Sequence, residues 1–169
     1  EELRRVSDQK LAWLAGIIDG EGTITMFATK PREVVSKKGK RYSSRGQLYA
    51  LISISNTNDS LIVEARQLIE QMGVKCGIAL HNNALFVRKK PCWYLQVAGF
   101  RRVGEVLDRV SPFLVSKRPQ AALLMQLIRH RLKTMDKSRA FGPRPSFRDD
   151  EWLMTQLGEL QALNKRGPE

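Results

Sequence analysis

The chain has 169 residues, with 29 Lys and Arg against 17 Asp and Glu, a formal charge of +12. It is long enough to bury a core without staples, and its longest apolar run, residues 11–18, is too short to span a bilayer. No secretory signal opens it, and its two cysteines form no CxxC pair or Cys/His cluster. These features exclude a membrane span, a disulfide scaffold and an acidic binder. We expect a soluble, intracellular protein that binds a polyanion, with nucleic acid favoured over a membrane surface.

Hydrophobic spacing and turn residues predict the first four elements. Apolar residues at helical spacing indicate a helix over residues 7–19, which ends at Gly20-Glu21-Gly22. A strand over residues 23–29 follows, and then a polar, strongly basic segment, residues 30–46, interpreted as a loop or an irregular hairpin tip. Residues 47–56 alternate between apolar and polar side chains, which predicts a half-buried strand.

A second helix and a second hairpin are expected next. The helix begins at Asp59 or Ser60 and ends at Gly73, and strands over residues 75–81 and 85–97 follow it. A turn at Asn82-Asn83 places residue 76 opposite residue 89, and Pro91 at a bulge or an edge. That register does not pair the two cysteines, so we interpret both as half-buried hydrophobic residues and a disulfide as the lesser alternative.

Three helices are predicted in the last third of the chain, over residues 100–110, 117–134 and 149–163. The order α-β-β-α-β-β-α-α plus a C-terminal helix, which begins with αββαββα, predicts an α+β fold with one four-stranded antiparallel sheet and helices on one of its faces. We divide the chain into a domain over residues 1–134, a basic Pro/Gly linker over residues 135–148 and a helical extension over residues 149–169.

The first predicted helix carries a stripe of small residues. Ala12, Gly16 and Gly20 recur at every fourth position, and Ala15 and Asp19 lie beside them. Such a stripe lets two helix backbones approach closely, and if the partner is a second copy, the acidic helix ends meet near a two-fold axis. A Mg²⁺ or Mn²⁺ ion between those carboxylates makes the meeting tolerable and suits phosphodiester hydrolysis. The alternative is that Asp19-Gly20-Glu21-Gly22 is only a turn that ends the helix.

Residues 14–22, LAGIIDGEG, resemble the nine-residue signature of the LAGLIDADG homing endonucleases, with conservative changes at the fourth and eighth positions and Gly at the seventh. The segment PFLVSKRPQ, residues 112–120, resembles the stretch that precedes the family's late helix. The order of elements is also similar, so the resemblance covers about residues 7–134. A single motif implies a homodimer in which the two motif helices pack together.

The resemblance assigns roles to individual residues. Glu21 matches the metal-binding acidic position, and Gly20 offers its main-chain carbonyl to the same metal. Asp19 matches an acidic position that is usually structural in the family. Lys117 matches a basic residue that contacts the central phosphates, with a solvated lysine as the alternative. Asn56 matches a polar residue that holds water near the metal, with a helix-entry turn as the alternative.

The resemblance also places DNA on the polar face of the sheet, where Gln and Ser side chains read base edges and basic residues contact phosphates. The predicted DNA-binding residues of the first two strands are Thr25, Phe27, Thr29, Gln47, Tyr49, Ser53 and Ser55; those of the basic segment are Lys30, Arg32, Lys37, Lys38, Lys40, Arg41 and Arg45; those of the second hairpin are Lys75, His81, Arg88 and Lys90. The predicted dimer interface comprises Ala12, Ala15, Gly16 and Asp19.

The function that the resemblance implies is that of an intron-encoded homing endonuclease. Such a homodimer cuts double-stranded DNA at a long pseudo-palindromic site, across the minor groove, and leaves staggered ends. It uses Mg²⁺ as cofactor, with Mn²⁺ as a substitute. The alternatives are a non-cleaving splicing maturase or regulator on the same scaffold, and an unrelated basic RNA-binding protein in which the motif is a coincidence.

Overall fold

The described part of the chain folds around a four-stranded antiparallel sheet with five α-helices. The computed structural model describes residues 6–44, 46–81, 91–141 and 146–165, with the backbone alone at 44, 81 and 136–141. The strands are β1 (Gly22–Ala28), β2 (Arg32–Val35), β3 (Arg41–Ser44), β4 (Leu48–Asn56), β5 (Gly77–His81) and β6 (Cys92–Ala98). The helices are α1 (Asp8–Glu21), α2 (Asp59–Gln71), α3 (Phe100–Val110), α4 (Arg118–Phe141) and α5 (Glu151–Leu163).

The sheet has the order β1-β4-β6-β5, and its two faces differ in polarity. In β4 the even-numbered residues from Leu48 to Ile54 are buried, while the residues between them are exposed or half-buried. Register carries this alternation across the sheet, since Ile24 lies opposite Ile52, which lies opposite Val97, and all three are buried. One face therefore forms the core under the helices, and the other, which we call the open face, remains accessible. The predicted alternation in residues 47–56 is confirmed.

The basic segment between β1 and β4 forms a hairpin. Strands β2 and β3 pair antiparallel, with Val35 opposite Arg41, and the turn is closed by a hydrogen bond from the Ser36 N–H to the Lys40 carbonyl. This confirms the hairpin interpretation of residues 30–46. The hairpin forms a separate two-stranded sheet within the connection between β1 and β4.

Helix α1 is longer than predicted and runs directly into β1. The N–H of Gly22 still donates to the carbonyl of Ile18, so the helical hydrogen bonds continue through Glu21 rather than stopping at residue 19. A Cβ atom at position 22 would lie 2.7 Å from that carbonyl oxygen, which explains why glycine occupies the last position of the motif. Because no loop separates α1 from β1, the position of Glu21 is fixed by a helix on one side and a strand on the other.

The predicted register of the second hairpin is wrong. Strand β6 begins at Cys92 rather than residue 85, and His81 lies opposite Cys92 while Gly77 lies opposite Gln96. The Asn82-Asn83 turn lies outside the described residues, and a two-residue turn does not fit this register, since ten residues separate His81 from Cys92. Pro91 precedes β6, where no strand hydrogen bond is lost. Cys76 and Cys92 are free and partly exposed, as predicted.

The C-terminal third differs from the prediction in one boundary. The helix expected to end at residue 134 continues to Phe141, so the prediction that a linker begins at residue 135 is wrong for residues 135–141. Helix α5 packs on α4 and on β1, which is an edge strand of the sheet. The side chain of Arg148 donates to the Thr29 carbonyl at 2.8 Å, and that of Asn164 to the Ile24 carbonyl at 2.9 Å. The C-terminal segment thus covers an edge that would otherwise expose unpaired backbone groups.

Within the described residues, no helix has both the length and the apolar character that crossing a membrane requires.

Candidate functional site

The C-terminal end of α1 is joined to the turn before α4 by reciprocal hydrogen bonds. The carboxylate of Asp19 accepts from the N–H of Val115 at 2.7 Å and from the N–H of Lys117 at 2.8 Å. The ammonium of Lys117 donates in return to the main-chain carbonyl of Asp19. That carbonyl is one of the last in the helix, where intrahelical donors run out, and a cation there faces the negative end of the helix dipole.

These contacts determine the ionisation of Asp19. Burial by itself raises the pKa of this carboxyl, but the main-chain hydrogen bonds from Val115 and Lys117, together with bonds from Ser116, outweigh it and hold the pKa below the ordinary value. The charged form of Asp19 is therefore the form that the fold stabilises. Its role is to fix the turn that carries Lys117, in agreement with the structural role that the sequence resemblance gives it.

Glu21, the last residue of α1, is exposed. Among the residues that the structure describes, its carboxylate has no hydrogen bond or ion pair. Carboxylate and main-chain carbonyl oxygens suit Mg²⁺, so Glu21 and Gly20 carry donors of the right kind. No group of three or more His, Cys, Asp or Glu side chains converges anywhere in the described part of the chain.

Asn56 ends β4, but its side chain has a local partner. Its Oδ1 accepts from the N–H of Asn58 at 2.8 Å, and Asn58 in turn caps α2 through Ser60. This is the helix-entry turn that the sequence left open as the alternative. Asn56 also continues the phase of the core-facing residues Ile52 and Ile54, whereas Ser53 and Ser55 lie on the open face. Its assignment to water near the metal stays a prediction.

The small-residue stripe of α1 is accessible at three positions. Ala12, Gly16 and Gly20 are exposed, and an added Cβ at either glycine would meet nothing within 4 Å. Two apolar side chains near the stripe are also accessible. Trp13 in α1 is 39% exposed, and Val115, whose N–H donates to Asp19, is 79% exposed.

Two members of the predicted dimer interface lie elsewhere. Ala15 is 0% exposed and packs in the chain's own core, so its inclusion in the interface is wrong. The reason is helical phase, since residues 11, 14, 15 and 18 form the buried side of α1 while residues 12, 16 and 20 face outward. The carboxylate of Asp19 is directed to the turn at residues 115–117 rather than along the stripe.

A cleft of about 220 Å³ opens beside the end of α1. Lys117 contributes to its wall, as do residues from the start of β1, the first turn of α4 and the C-terminal end of α5. The lining residues are Gly22, Thr23, Ser116, Lys117, Gln120, Leu163, Asn164 and Lys165. The predicted basic residue thus lies within a concave surface at the end of the motif helix.

The open face brings together most of the predicted DNA-binding residues of β1 and β4. Thr25, Phe27, Tyr49, Ser53 and Ser55 share this face. The rings of Phe27 and Tyr49 stack at a centroid distance of 5.5 Å, and the Tyr49 hydroxyl donates to the side chain of Gln47, which is exposed just before β4. Thr29 differs from the others, because its hydroxyl accepts from the Gln47 N–H at 2.8 Å. This bond joins the end of β1 to the start of β4.

The predicted basic residues of the hairpin are accessible. Those that the structure describes are all exposed: Lys30, Arg32, Lys37, Lys38, Lys40 and Arg41. Lys75 is exposed just before β5. Arg45, Arg88, Lys90 and the side chain of His81 lie outside the described residues.

Sequence reasoning missed the contribution of β6 and of the C-terminal end of α5. Tyr94 and Gln96 occupy the open face next to Ser55 and Ser53. The alternation in residues 92–98 indicates that Tyr94 and Gln96 share this face, but the predicted strand begins seven residues too early. The predicted DNA-binding residues of the second hairpin are also all basic, which leaves out a tyrosine and a glutamine. No local signal in the sequence places Asn164 beside β1, because that contact spans 140 positions.

Comparison with known proteins supports the fold. No protein-family model and no curated protein sequence matches the chain. Solved structures do match. An archaeal intron-encoded homing endonuclease, I-Vdi141I, complexed with DNA, superposes with a TM-score of 0.65 at 15% identity, covering 96% of this chain and 88% of that chain.

Two further structures are similar. The homing endonuclease I-CvuI, in complex with the I-CreI target in the presence of Mg, has a TM-score of 0.61 at 18% identity, covering 96% of this chain and 87% of that one. The group I intron-encoded homing endonuclease I-CeuI, complexed with DNA, has a TM-score of 0.53 at 12% identity over 79% of this chain and 58% of that one. The fold is that of the LAGLIDADG homing endonucleases, and the predicted α+β architecture is confirmed.

The Asp19 contacts generate a prediction about stability. Asp19→Asn should lower the free energy of unfolding at pH 7 by about 1–3 kcal/mol, because charge-assisted hydrogen bonds to two amides are lost. Since the folded-state pKa lies below the ordinary 3.8, this contribution is present above about pH 4 and is lost as the pH falls through the folded-state value. Urea unfolding of both proteins between pH 2 and pH 7 measures the difference.

The exposed carboxylate of Glu159 on α5 provides the control, since Glu159→Gln should change stability by no more than about 0.5 kcal/mol. A difference between wild type and Asp19→Asn that stays constant down to pH 2 would contradict the assignment.

Proposed function

We propose that the protein is a site-specific DNA endonuclease that acts as a homodimer and hydrolyses phosphodiester bonds with a divalent cation. The observation that carries the proposal is the placement of Glu21, an exposed carboxylate without a partner among the described residues, between the outward stripe of α1 and the cleft that contains Lys117. The DNA complexes of the structurally similar homing endonucleases support the substrate class. We extend the proposal to cleavage across the minor groove with staggered ends, in an intron-encoded, intracellular protein.

The proposed metal ligands are the Glu21 carboxylate and the main-chain carbonyl of Gly20. A Mg²⁺ ion, or Mn²⁺ in its place, supplies activation of water and stabilisation of the leaving oxygen when it is bound there. We assign phosphate binding at the C-terminal end of α1 to the Lys117 ammonium, because Lys117 lines the cleft beside that end. The hydrogen bond from Lys117 to the Asp19 carbonyl holds the lysine at that end before DNA binds.

The proposed dimer brings two copies of α1 together through the stripe of Ala12, Gly16 and Gly20. The absence of obstruction around both glycines supports close approach of a second helix. Packing of this kind would bring two Glu21 residues near the symmetry axis, where both copies supply oxygen ligands. The two open faces then form one extended surface for a long, pseudo-palindromic duplex.

The proposed DNA surface is the open face together with the basic hairpin. The side chains of Gln47, Ser53 and Ser55 offer hydrogen-bond donors and acceptors of the kind that read base edges in the major groove. The exposed lysines and arginines of residues 30–41 provide phosphate contacts beside them. The helices pack on the opposite face, which leaves this surface free of secondary structure from the described part of the chain.

Substitution of Glu21 tests the metal assignment. Glu21→Gln should abolish cleavage, with a loss of more than about a hundredfold, because the amide no longer provides an anionic oxygen for the metal. Binding of the duplex should stay within a few-fold of wild type. The substrate is a target selected from randomised duplexes by cleavage in Mg²⁺, and the measurements are single-turnover cleavage in Mg²⁺ and duplex binding in Ca²⁺. Glu64→Gln, on the exposed side of α2, serves as the control and should cut normally.

Substitution of Gly16 tests the dimer. Gly16→Leu should dissociate the dimer, because a branched side chain enters the proposed helix–helix contact, while its Cβ meets no described atom of its own chain within 4 Å. The matched control is Gly158→Leu on α5, which also replaces an exposed, unobstructed helical glycine. Sedimentation should report a monomer for Gly16→Leu and a dimer for the control. Identical sedimentation of both variants would refute the proposed interface.

The salt dependence of binding tests the basic hairpin. Replacing Lys37, Lys38 and Lys40 by Gln should reduce the slope of log K against log salt by up to about one unit for each phosphate contact that is lost. The control removes three arginines that form ion pairs on helices, through Arg66→Gln, Arg109→Gln and Arg129→Gln. Equal slopes for the two triple variants would contradict the assignment of the hairpin to DNA.

A further inference from the structure

The C-terminal end of α5 connects two elements that border the cleft beside Glu21. The side-chain amide of Gln120, in the first turn of α4, donates to the Leu163 carbonyl at 3.1 Å. One residue further along, the side-chain amide of Asn164 donates to the Ile24 carbonyl of β1 at 2.9 Å. Two consecutive residues at the end of α5 therefore bind the first turn of α4 on one side and β1 on the other.

Both hydrogen bonds lie at the cleft rather than in the body of the helix packing. Gln120, Leu163 and Asn164 all line it, opposite Gly22 and Thr23 at the start of β1. Lys117 is one helical turn before Gln120 and lines the same cleft. The end of α5 thus links the first turn of α4, which follows Lys117, to the strand that follows Glu21.

We propose that Gln120 and Asn164 are positioning residues for the cleavage reaction, which fix Lys117 relative to Glu21 by joining α4 to β1 through the end of α5. The inference rests on the proposed function and assigns the C-terminal helix to the reaction site. Neither residue need touch DNA or metal. Their effect on the rate arises because a displacement of about 1 Å between reacting groups can cost up to about a hundredfold.

The competing explanation is that α5 only adds stability. In that case, any loosening of α5 of similar size should have the same effect on cleavage. The buried residue Leu157, in the middle of α5, provides the comparison, because Leu157→Val weakens the packing of the helix away from the cleft. A positioning role instead predicts an effect on the rate that does not follow the melting temperature.

The experiment compares Asn164→Leu and Gln120→Met, which remove the amide donors at nearly constant size and without adding charge, with Leu157→Val. At enzyme concentrations that saturate the selected target duplex, each amide variant should cut about tenfold more slowly in Mg²⁺, while duplex affinity in Ca²⁺ stays within about threefold of wild type. Leu157→Val should cut at the wild-type rate whatever its melting temperature.

Hydrogen exchange of the Val115 and Lys117 amides gives a second measurement that requires neither DNA nor metal. These amides donate to Asp19, and their exchange should accelerate in the two amide variants relative to Leu157→Val. The inference is overturned alone if wild type cleaves and the amide variants cut at the same rate, or if the rate follows the melting temperature across all three variants. If wild type cleaves no duplex in Mg²⁺, the proposed function falls, and this inference falls with it.

Discussion

The contact between Asp19 and the turn at residues 115–117 organises the site. Two main-chain amides converge on one carboxylate, and the ammonium of Lys117 returns to the carbonyl of the same aspartate. A carboxylate in the last turn of a helix is unfavourable in isolation, because it faces the negative end of the helix dipole. Here the two amides and the lysine compensate for that placement. The result is a junction between residues nearly a hundred positions apart, next to the exposed Glu21 and to the cleft that Lys117 lines.

The direct passage from α1 to β1 makes this junction rigid. Gly22 belongs to β1, while its N–H still donates to a carbonyl of α1. No loop therefore separates the two elements, and the backbone at Glu21 is held by both. The edge of β1 is in turn held by α5 and by the Arg148 side chain. The end of the motif helix is therefore fixed by the turn at residues 115–117 and by the strand that follows it, which the C-terminal segment holds in turn. Groups that act on a phosphodiester bond require such fixed geometry, since their contribution depends on alignment.

The sequence predicts the fold class and the motif well because both depend on local patterns. The helical phase of residues 11–18, the alternation in residues 47–56 and the basic composition of residues 30–46 each specify an element without long-range information. The failures have different physical origins. The second hairpin was misregistered because its strands were paired by a local turn signal, whereas the strand begins only at Cys92. Ala15 was assigned to the interface because small size was read without helical phase.

Side-chain contacts across the fold were beyond a local interpretation of the sequence. Nothing near Asn164 indicates β1, and nothing near Gln120 indicates the end of α5, since both contacts exist only when three elements pack together. For Asn56, the sequence position likewise does not identify the side-chain contact. Its position at the end of a strand suggested a role near the metal, while its side chain completes the turn into α2. The hydrogen bond identifies the helix-entry turn, while the role near the metal stays a prediction.

The glycines of the motif separate folding from assembly. Gly22 has no room for a side chain because the Ile18 carbonyl is already in contact distance, whereas Gly16 and Gly20 face open space in the single chain. In a saturation mutagenesis library scored for abundance of the folded chain, position 22 is constrained by the chain's own backbone, whereas positions 16 and 20 are not. Any selection against larger residues at 16 and 20 in a functional screen would then report contacts made outside the subunit. The three glycines of the motif thus serve as an internal standard for the two kinds of constraint.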